Sequence, residues 1–326
     1  MTTVIASERS AAAVPDDFGP GWYAIASTRE LRRDRPLALT RFGHKLVAFR
    51  ANGEIGVLFD RCPHRGVQLS AGSVQDGQLA CPFHGFRFDH TGACVQIPVQ
   101  PAAAVIPKAL RCRSLPAREQ HGFIFAWWGA VPDSLPAIDW FDDELRDCDG
   151  PYEHSVDSDV GLSRNIENQL DMAHLPFVHG KSLGRLVKSP IVEVDCTVNG
   201  QRLRMTKRGS TSGFFIELRL PGLWINRIGA NSWVFLAFAP ITPTRTRLYT
   251  RYYQGSFKVP VLKKVLGWFM GWSNLWILRE DLRVVHTHDT PVSPRLDGSE
   301  LLLPFDIAAI EYRRLREQWL RGGKAD

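Results

Sequence analysis

The sequence predicts an α+β protein in two parts: an antiparallel β domain first, then an antiparallel sheet with a long C-terminal helix, of the helix-grip type. Three observations predict it. Up to residue 131, short apolar runs alternate with Gly and Asn-Gly turn signals, the pattern of a small β domain. Pro132-Asp133-Ser134-Leu135-Pro136 then interrupts that pattern. Beyond it, strand-like runs lie between two helical candidates. The expected division is an N-terminal arm at 1–18, a first domain at 19–131 and a second at 132–326. The full 326 residues suffice for two domains of ordinary size.

The elements follow in order. Gly21-Trp22-Tyr23-Ala24-Ile25 opens the first strand. Residues 36–42 and 45–50 flank Gly43 as the arms of a hairpin. Residues 55–59 follow the Asn52-Gly53 turn signal. Residues 86–89 and 94–97 bracket a turn at Thr91-Gly92, and 122–128 form a last apolar strand. In the second part, 165–175 reads as a helix. Residues 191–198 read as a strand turning at Asn199-Gly200 into 202–206, and 214–218, 232–238 and 246–253 continue the sheet. Pro260, tolerated at a helix start, opens a long helix to about Val285.

Two short stretches carry chemistry in the first part. Cys62-Pro63-His64-Arg65-Gly66 and Cys81-Pro82-Phe83-His84-Gly85 offer two thiolates and two imidazoles. Such a set holds a zinc ion or a two-iron cluster. Zinc fingers pair Cys with Cys and His with His along the chain; here each half carries one of each, which favours a [2Fe-2S] centre with both thiolates on one iron and both imidazoles on the other. Neutral imidazole makes the cluster easier to reduce, at roughly −150 to +300 mV against about −400 mV for all-Cys plant-type clusters. Pro63 and Pro82 fix φ beside each ligand, and Gly66 and Gly85 permit positive φ. The two half-motifs resemble those of the Rieske iron–sulfur family, which makes Cys62, His64, Cys81 and His84 the cluster ligands.

The second part holds Asn168-Gln169-Leu170-Asp171-Met172-Ala173-His174-Leu175-Pro176-Phe177-Val178-His179. Asp171 and His174 share a helix face at a spacing of three. His174 and His179 would diverge on a straight helix, but Pro176 should bend or end it between them and let both rings turn to one point. Two histidines and a carboxylate make the facial triad of a mononuclear non-haem Fe(II) site. The helix near the C-terminus offers Glu280 and Asp281 for the carboxylate.

This segment resembles the catalytic motif of Rieske non-haem iron oxygenases, and the resemblance spans nearly the whole chain in family order. It implies His174 and His179 as iron ligands, with the Asp of the Glu-Asp pair, Asp281, as third ligand and Glu280 as the alternative. The apolar neighbours Ile277, Leu278, Val284 and Val285 would bury Asp281. Asp171 would hydrogen-bond a ligand histidine and link it to a cluster histidine of a neighbouring subunit. Asn168, three residues earlier, is placed to approach the open side of the iron.

The modest length looks like the homotrimeric vanillate and dicamba O-demethylase-like oxygenase α subunits. The resemblance implies a monooxygenase that hydroxylates or demethylates an organic substrate with O2, its electrons coming indirectly from NAD(P)H through a ferredoxin or flavin reductase. An apolar aromatic or polycyclic substrate is expected from the aromatics of the second half. Desaturation, cyclisation and ring dihydroxylation stay open. A reading of another class is an electron carrier: a Rieske protein with a non-catalytic ligand-binding domain.

Bulk properties bound these readings. The 44% hydrophobic fraction argues against disorder. The net charge of +6 comes without a Lys/Arg tract interleaved with aromatics, so an acidic protein partner is favoured over nucleic acid. Cys94, Cys112, Cys148 and Cys196 have no framework spacing and are expected reduced and mostly buried. Residues 1–20 lack a secretory apolar segment, which leaves cytoplasm as the expectation. The Trp-rich stretch 265–278 is shorter than a membrane span and ends in Arg279-Glu280-Asp281, so a membrane is the lesser reading.

Overall fold

A computed structural model describes residues 17–101, 105–180, 182, 190–255 and 260–322. Most of the expected arm lies outside the described residues. Its last two, Asp17 and Phe18, are buried, and the Phe18 ring packs edge-on to Phe42.

The first half builds three small antiparallel sheets. One is β2 (Leu37–Arg41), β3 (His44–Ala51), β4 (Glu54–Phe59) and β9 (Ser114–Leu115), in that order. The second is β5 (Ser73–Gln75), β6 (Gln78–Ala80), β7 (Arg87–Phe88) and β8 (Cys94–Gln96). The third places β11 (Phe123–Trp128) between β1 (Gly21–Ser27) and β10 (Ala117–Gln120). Two hairpins turn on residue pairs with positive φ. Phe42 and Gly43 have φ of 55° and 75°, and Asn52 and Gly53 have 51° and 96°. That geometry matches the right-handed twist of the flanking strands.

The second half is one seven-stranded antiparallel sheet in the order β12-β18-β17-β16-β15-β14-β13. Its strands are β12 (Asp149–Ser158), β13 (Val194–Asn199), β14 (Arg202–Lys207), β15 (Phe215–Arg219), β16 (Leu223–Gly229), β17 (Ser232–Thr242) and β18 (Arg245–Gln254). The helices are α1 (Asp142–Leu145), α2 (Leu162–Leu170), α3 (Leu175–Val178), α4 (Pro260–Val285) and α5 (Ile307–Leu320).

Alternation along β17 separates two cores. Leu236 and Phe238 join residues of α2, α4 and α5, such as Ile166, Leu282 and Tyr312. Phe235 and Ala237 instead meet Phe123 and Phe125 of β11 and Trp140. The first of these cores joins the helices to first-half residues such as Tyr23 and Phe42, and the second joins the sheet to β11. Helix α4 comes close to β12 because Gly267 and Gly271 leave room for Tyr152: a Cβ at Gly267 would lie 2.1 Å from its ring.

The α+β class is the one expected, with corrections inside it. The helix expected at 165–175 begins at Leu162 and stops at Leu170. Asp171 is extended (φ −85°, ψ 122°), and its Oδ1 accepts the Ala173 N–H at 2.7 Å. A short polar side chain that bonds its own turn competes with the helix, so the break falls before His174 rather than between the histidines. Pro176 ends nothing; it sits in the first turn of α3, where its missing N–H has no partner to lose. Asp171 and His174 therefore share no helix face. Strands β12 and β16 and helix α5 were not foreseen. Of the four cysteines outside the ligand turns only Cys112 is buried; Cys94, Cys148 and Cys196 are half-buried, and all are free.

Candidate metal centres

The first centre lies on two loops that follow β4 and β6. The loops close alike: Gly66 N–H reaches Cys62 O at 2.9 Å, and Gly85 N–H reaches Cys81 O at 3.0 Å. Cys62 N–H donates to Val67 O and Cys81 N–H to Phe86 O, each at 2.8 Å. Gly66 and Gly85 take φ of 74° and 71°, a region that L side chains rarely enter. The turns place the Cys62 and Cys81 thiols within hydrogen-bonding reach and point the backbone N–H groups of His64 and Arg65 at the Cys62 sulfur. Burial pushes the Cys62 thiol up to about 11 in spite of those N–H groups. Both cysteines belong to an apolar cluster with Leu69, Leu79 and Phe88. The His64 ring is exposed, His84 is half-buried, and their centroids are 5.0 Å apart. Thiols lie inside and imidazoles face outward.

The second centre joins three segments. His174 immediately precedes α3, His179 immediately follows it, and Asp281 lies near the C-terminal end of α4. Asp281 Oδ1 is 3.3 Å from His174 Nε2 and 3.0 Å from His179 Nε2. One ligand atom from each of the three lies within 4.8 Å of the others. His179 and Asp281 are almost wholly buried, at 1% and 4% exposure.

Surrounding groups fix each donor. Glu280 Oε2 accepts from His179 Nδ1 at 2.9 Å and from the Ser182 hydroxyl at 2.5 Å. With its Nδ1 proton engaged there, His179 turns an Nε2 lone pair to the centre. Glu280 therefore stands behind His179, whereas Asp281 faces both Nε2 atoms. Gln169 Nε2 donates to Asp281 Oδ2 at 3.0 Å, and Trp224 Nε1 holds the Gln169 carbonyl at 3.1 Å. Asp171 Oδ2 lies 3.5 Å from His174 Nδ1 and its side chain is 41% exposed. Asn168 is half-buried one residue before Gln169, and its carbonyl oxygen receives the Asp171 N–H at 3.4 Å.

The electrostatics of the centre suits a cation. Burial opposes a charged His174, yet the Asp171 and Asp281 carboxylates outweigh it and raise its pKa to about 9. Burial likewise opposes a charged Asp281, but the two imidazoles bring it to about 2. Among the described residues, His174 Nδ1 and Nε2 and Asp281 Oδ1 are buried without an aligned hydrogen bond. Such orphaned donors are costly unless an ion meets them.

Comparison with known proteins bears on the first centre. Residues 21–112 match the Rieske [2Fe-2S] domain family. The vanillate O-demethylase oxygenase subunit of a Pseudomonas species is 35% identical over 189 residues, covering 55% of this chain and 52% of that protein. Residues 21–112 therefore form a Rieske [2Fe-2S] domain, in a chain similar to oxygenase subunits. Protein TIC 55 of Arabidopsis thaliana is 32% identical over 176 residues, covering 51% of this chain and 31% of that protein. The chain thus spans about half or less of these curated relatives. NdmA of Pseudomonas putida CBB5 shares the fold at a TM-score of 0.79 over 94% of both chains, with 21% identity.

The matched domain is one that carries a Rieske [2Fe-2S] cluster, and the second centre is a set of residues that could hold a single metal ion. The residues fit both: two buried thiols beside two imidazoles for the first, and two imidazoles meeting one orphaned carboxylate oxygen for the second. Sequence reasoning missed Gln169, Ser182 and the supporting position of Glu280. Gln169 meets Asp281 because α2 packs beside α4, a contact that the residue pattern does not announce.

Proposed function

We propose that this chain is the oxygenase component of a Rieske system, a monooxygenase that hydroxylates or demethylates an apolar aromatic or polycyclic compound. The observation that carries this reading is the meeting of two imidazole Nε2 atoms on one buried Asp281 oxygen, in a chain with a Rieske domain. When bound, the cluster supplies single electrons and the Fe(II) supplies O2 activation.

The remaining work falls to side chains. Cys62, His64, Cys81 and His84 hold the cluster, and the outward imidazoles let electrons enter from a ferredoxin or flavin reductase fed by NAD(P)H. His174, His179 and Asp281 hold the iron. Glu280 fixes the His179 tautomer, and Gln169 engages one Asp281 oxygen so that the other stays free for the ion. Asp171 stands at the exposed back of His174, open to His84 of a second copy in a head-to-tail trimer. Asn168 is assigned to the open side of the iron. Residues 19–131 form the electron-receiving domain and 132–326 the catalytic one.

The balance is one O2, two electrons and two protons per substrate: one oxygen atom enters a C–H bond and the other leaves as water. Hydroxylation of an O- or N-methyl group then releases formaldehyde. Relatives support ring compounds: one is named vanillate O-demethylase, NdmA is solved with caffeine, and dicamba monooxygenase is solved with dicamba.

The test is anaerobic reduction of the purified protein, then O2 with a panel of ring compounds and mass analysis. A product with one added oxygen, or one methyl group fewer, supports the proposal. Loss of two hydrogens or gain of two oxygens would instead identify a desaturase or dioxygenase. Reoxidation without product, with two irons per chain rather than three, would leave an electron carrier.

A further inference from the structure

Helix α4 has two unlike sides. Asn274, Leu275, Leu278, Asp281 and Leu282 point inward and are buried. On the outside, Val265, Trp268, Phe269, Trp272 and Trp276 are exposed at 58, 62, 56, 46 and 52%. Trp268 and Phe269 lie three and four residues after Val265, Trp272 lies four and three after them, and Trp276 four further on, so the five make one continuous row about 16 Å long at 1.5 Å per residue. Trp272 and Trp276 stand 6.1 Å apart, and Phe177, 76% exposed, shares with Trp276 a cleft of about 520 Å³ at the C-terminal end of the row. The five side chains expose on the order of 500 Å² of mostly apolar surface, the upper end of what a lone soluble protein shows.

The charges around the row have one sign. Lys264 precedes it, Arg279 and Arg283 follow it, and all three are exposed. None of the three has a carboxylate within ion-pair distance among the described residues. The acids nearby are engaged: Asp149 pairs with Lys263, and Glu280, which lines the cleft, accepts from His179, Ser182 and the Trp276 N–H.

We propose that this face of α4 docks on an anionic lipid surface. Three of the five apolar side chains are Trp, whose flat ring and single N–H suit the headgroup boundary rather than a dry core. Cations at both ends meet lipid phosphates, while the aromatics enter the boundary between headgroups and acyl chains. No helix among the described residues is long and apolar enough to cross a membrane, so the contact is one of lying on the surface. Among the described residues the three exposed cations beside the row meet no carboxylate, so the surface that covers the row must bring negative charge to both of its ends, as lipid phosphates do. The inference is independent of the proposed reaction.

The test is sedimentation of the whole metal-loaded protein with vesicles of phosphatidylcholine alone or with about 30% phosphatidylglycerol, in 0.05 and 0.5 M salt. The expected result is pelleting with the anionic vesicles, weakened by salt. A Trp268→Gln, Trp272→Gln variant should bind at least tenfold more weakly, and Arg279→Gln, Arg283→Gln should lose the preference for phosphatidylglycerol. Visible absorption of the cluster and circular dichroism check that both variants fold. Should a variant fail to fold, quenching of wild-type Trp emission by brominated phosphatidylglycerol reads the same contact. Wild-type protein that stays in the supernatant, or emission unaffected by bromine, would overturn the proposal. So would Trp variants that change the oligomeric state while vesicle binding persists, since the row would then lie between copies of the chain.

Discussion

Glu280 and Asp281 are adjacent carboxylates, and exchanging each for its amide separates the parts assigned to them. In Glu280→Gln the amide oxygen can still accept from His179 Nδ1, so the tautomer survives with a weaker, neutral partner. In Glu280→Ala the His179 N–H, on a ring only 1% exposed, loses its acceptor at 2.9 Å. A buried donor left unpaired costs about 1–3 kcal/mol, and loss of a group orienting a metal-bound histidine typically weakens metal affinity about 10–100-fold. The two ranges agree, since 1.4 kcal/mol is about tenfold. Asp281→Asn removes the charge that both imidazoles face and should leave iron unbound at any practical concentration. The assay is Fe(II) or Co(II) titration against a chelator of known affinity, with bound metal counted per chain. The expected order is wild type, Glu280→Gln, Glu280→Ala, then Asp281→Asn. Retained iron in Asp281→Asn together with lost iron in Glu280→Gln would reverse the donor assignment.

Three further outcomes are expected. Asp171→Asn keeps the Ala173 cap but loses the charge beside His174 Nδ1, so both metals should remain by iron count while product formation falls at least tenfold; full activity would refute the relay through Asp171. Burial raises Asp17 to about 6 in spite of Arg316 and Ser163. The folded state therefore holds an extra proton between about pH 4 and 6, and the stability this group contributes rises as pH falls through that window. Urea unfolding should accordingly show Asp17→Asn gaining on wild type by on the order of 2 kcal/mol between pH 4.5 and 7.5, and an equal gain at both values would refute it. Gly267→Ala puts a methyl group into the Tyr152 ring and should cost about 1–3 kcal/mol, read by denaturant midpoint; adding Tyr152→Ala should recover part of the loss, whereas additive losses would show that the two do not touch.

What could be read from the residues, and what could not, follows from the range of each interaction. The hairpins at Phe42-Gly43 and Asn52-Gly53 were legible because the turn chemistry is local. Helix α4 was legible from Pro260 and its long apolar run. Strand β12 was not, because its sequence, DGPYEHSVDS, is polar and half-buried, and its partner β18 lies about a hundred residues on. Helix α5 was hidden by its arginines. Arginines ordinarily lie in solvent, yet Arg313 is buried against Glu167 and Glu300, and Arg316 holds the carbonyls of Ser293 and Pro294. The donor residues of both centres stood out because few other functions need those types at those intervals. The supporting Gln169 and Ser182 carry no such signature, being ordinary polar residues until the fold brings α4 beside them.

The donors of the second centre are split between the segment around α3 and a helix about a hundred residues later, with most of a sheet folding between them. During synthesis the histidines emerge long before the aspartate, so no nascent fragment ending ahead of α4 can grip the ion with three groups. Loading must wait until α4 has settled over β12. If the proposed iron binds here, its occupancy would report that the chain has been finished and has closed correctly, and a preparation poor in this metal but rich in cluster would contain molecules arrested at that last docking.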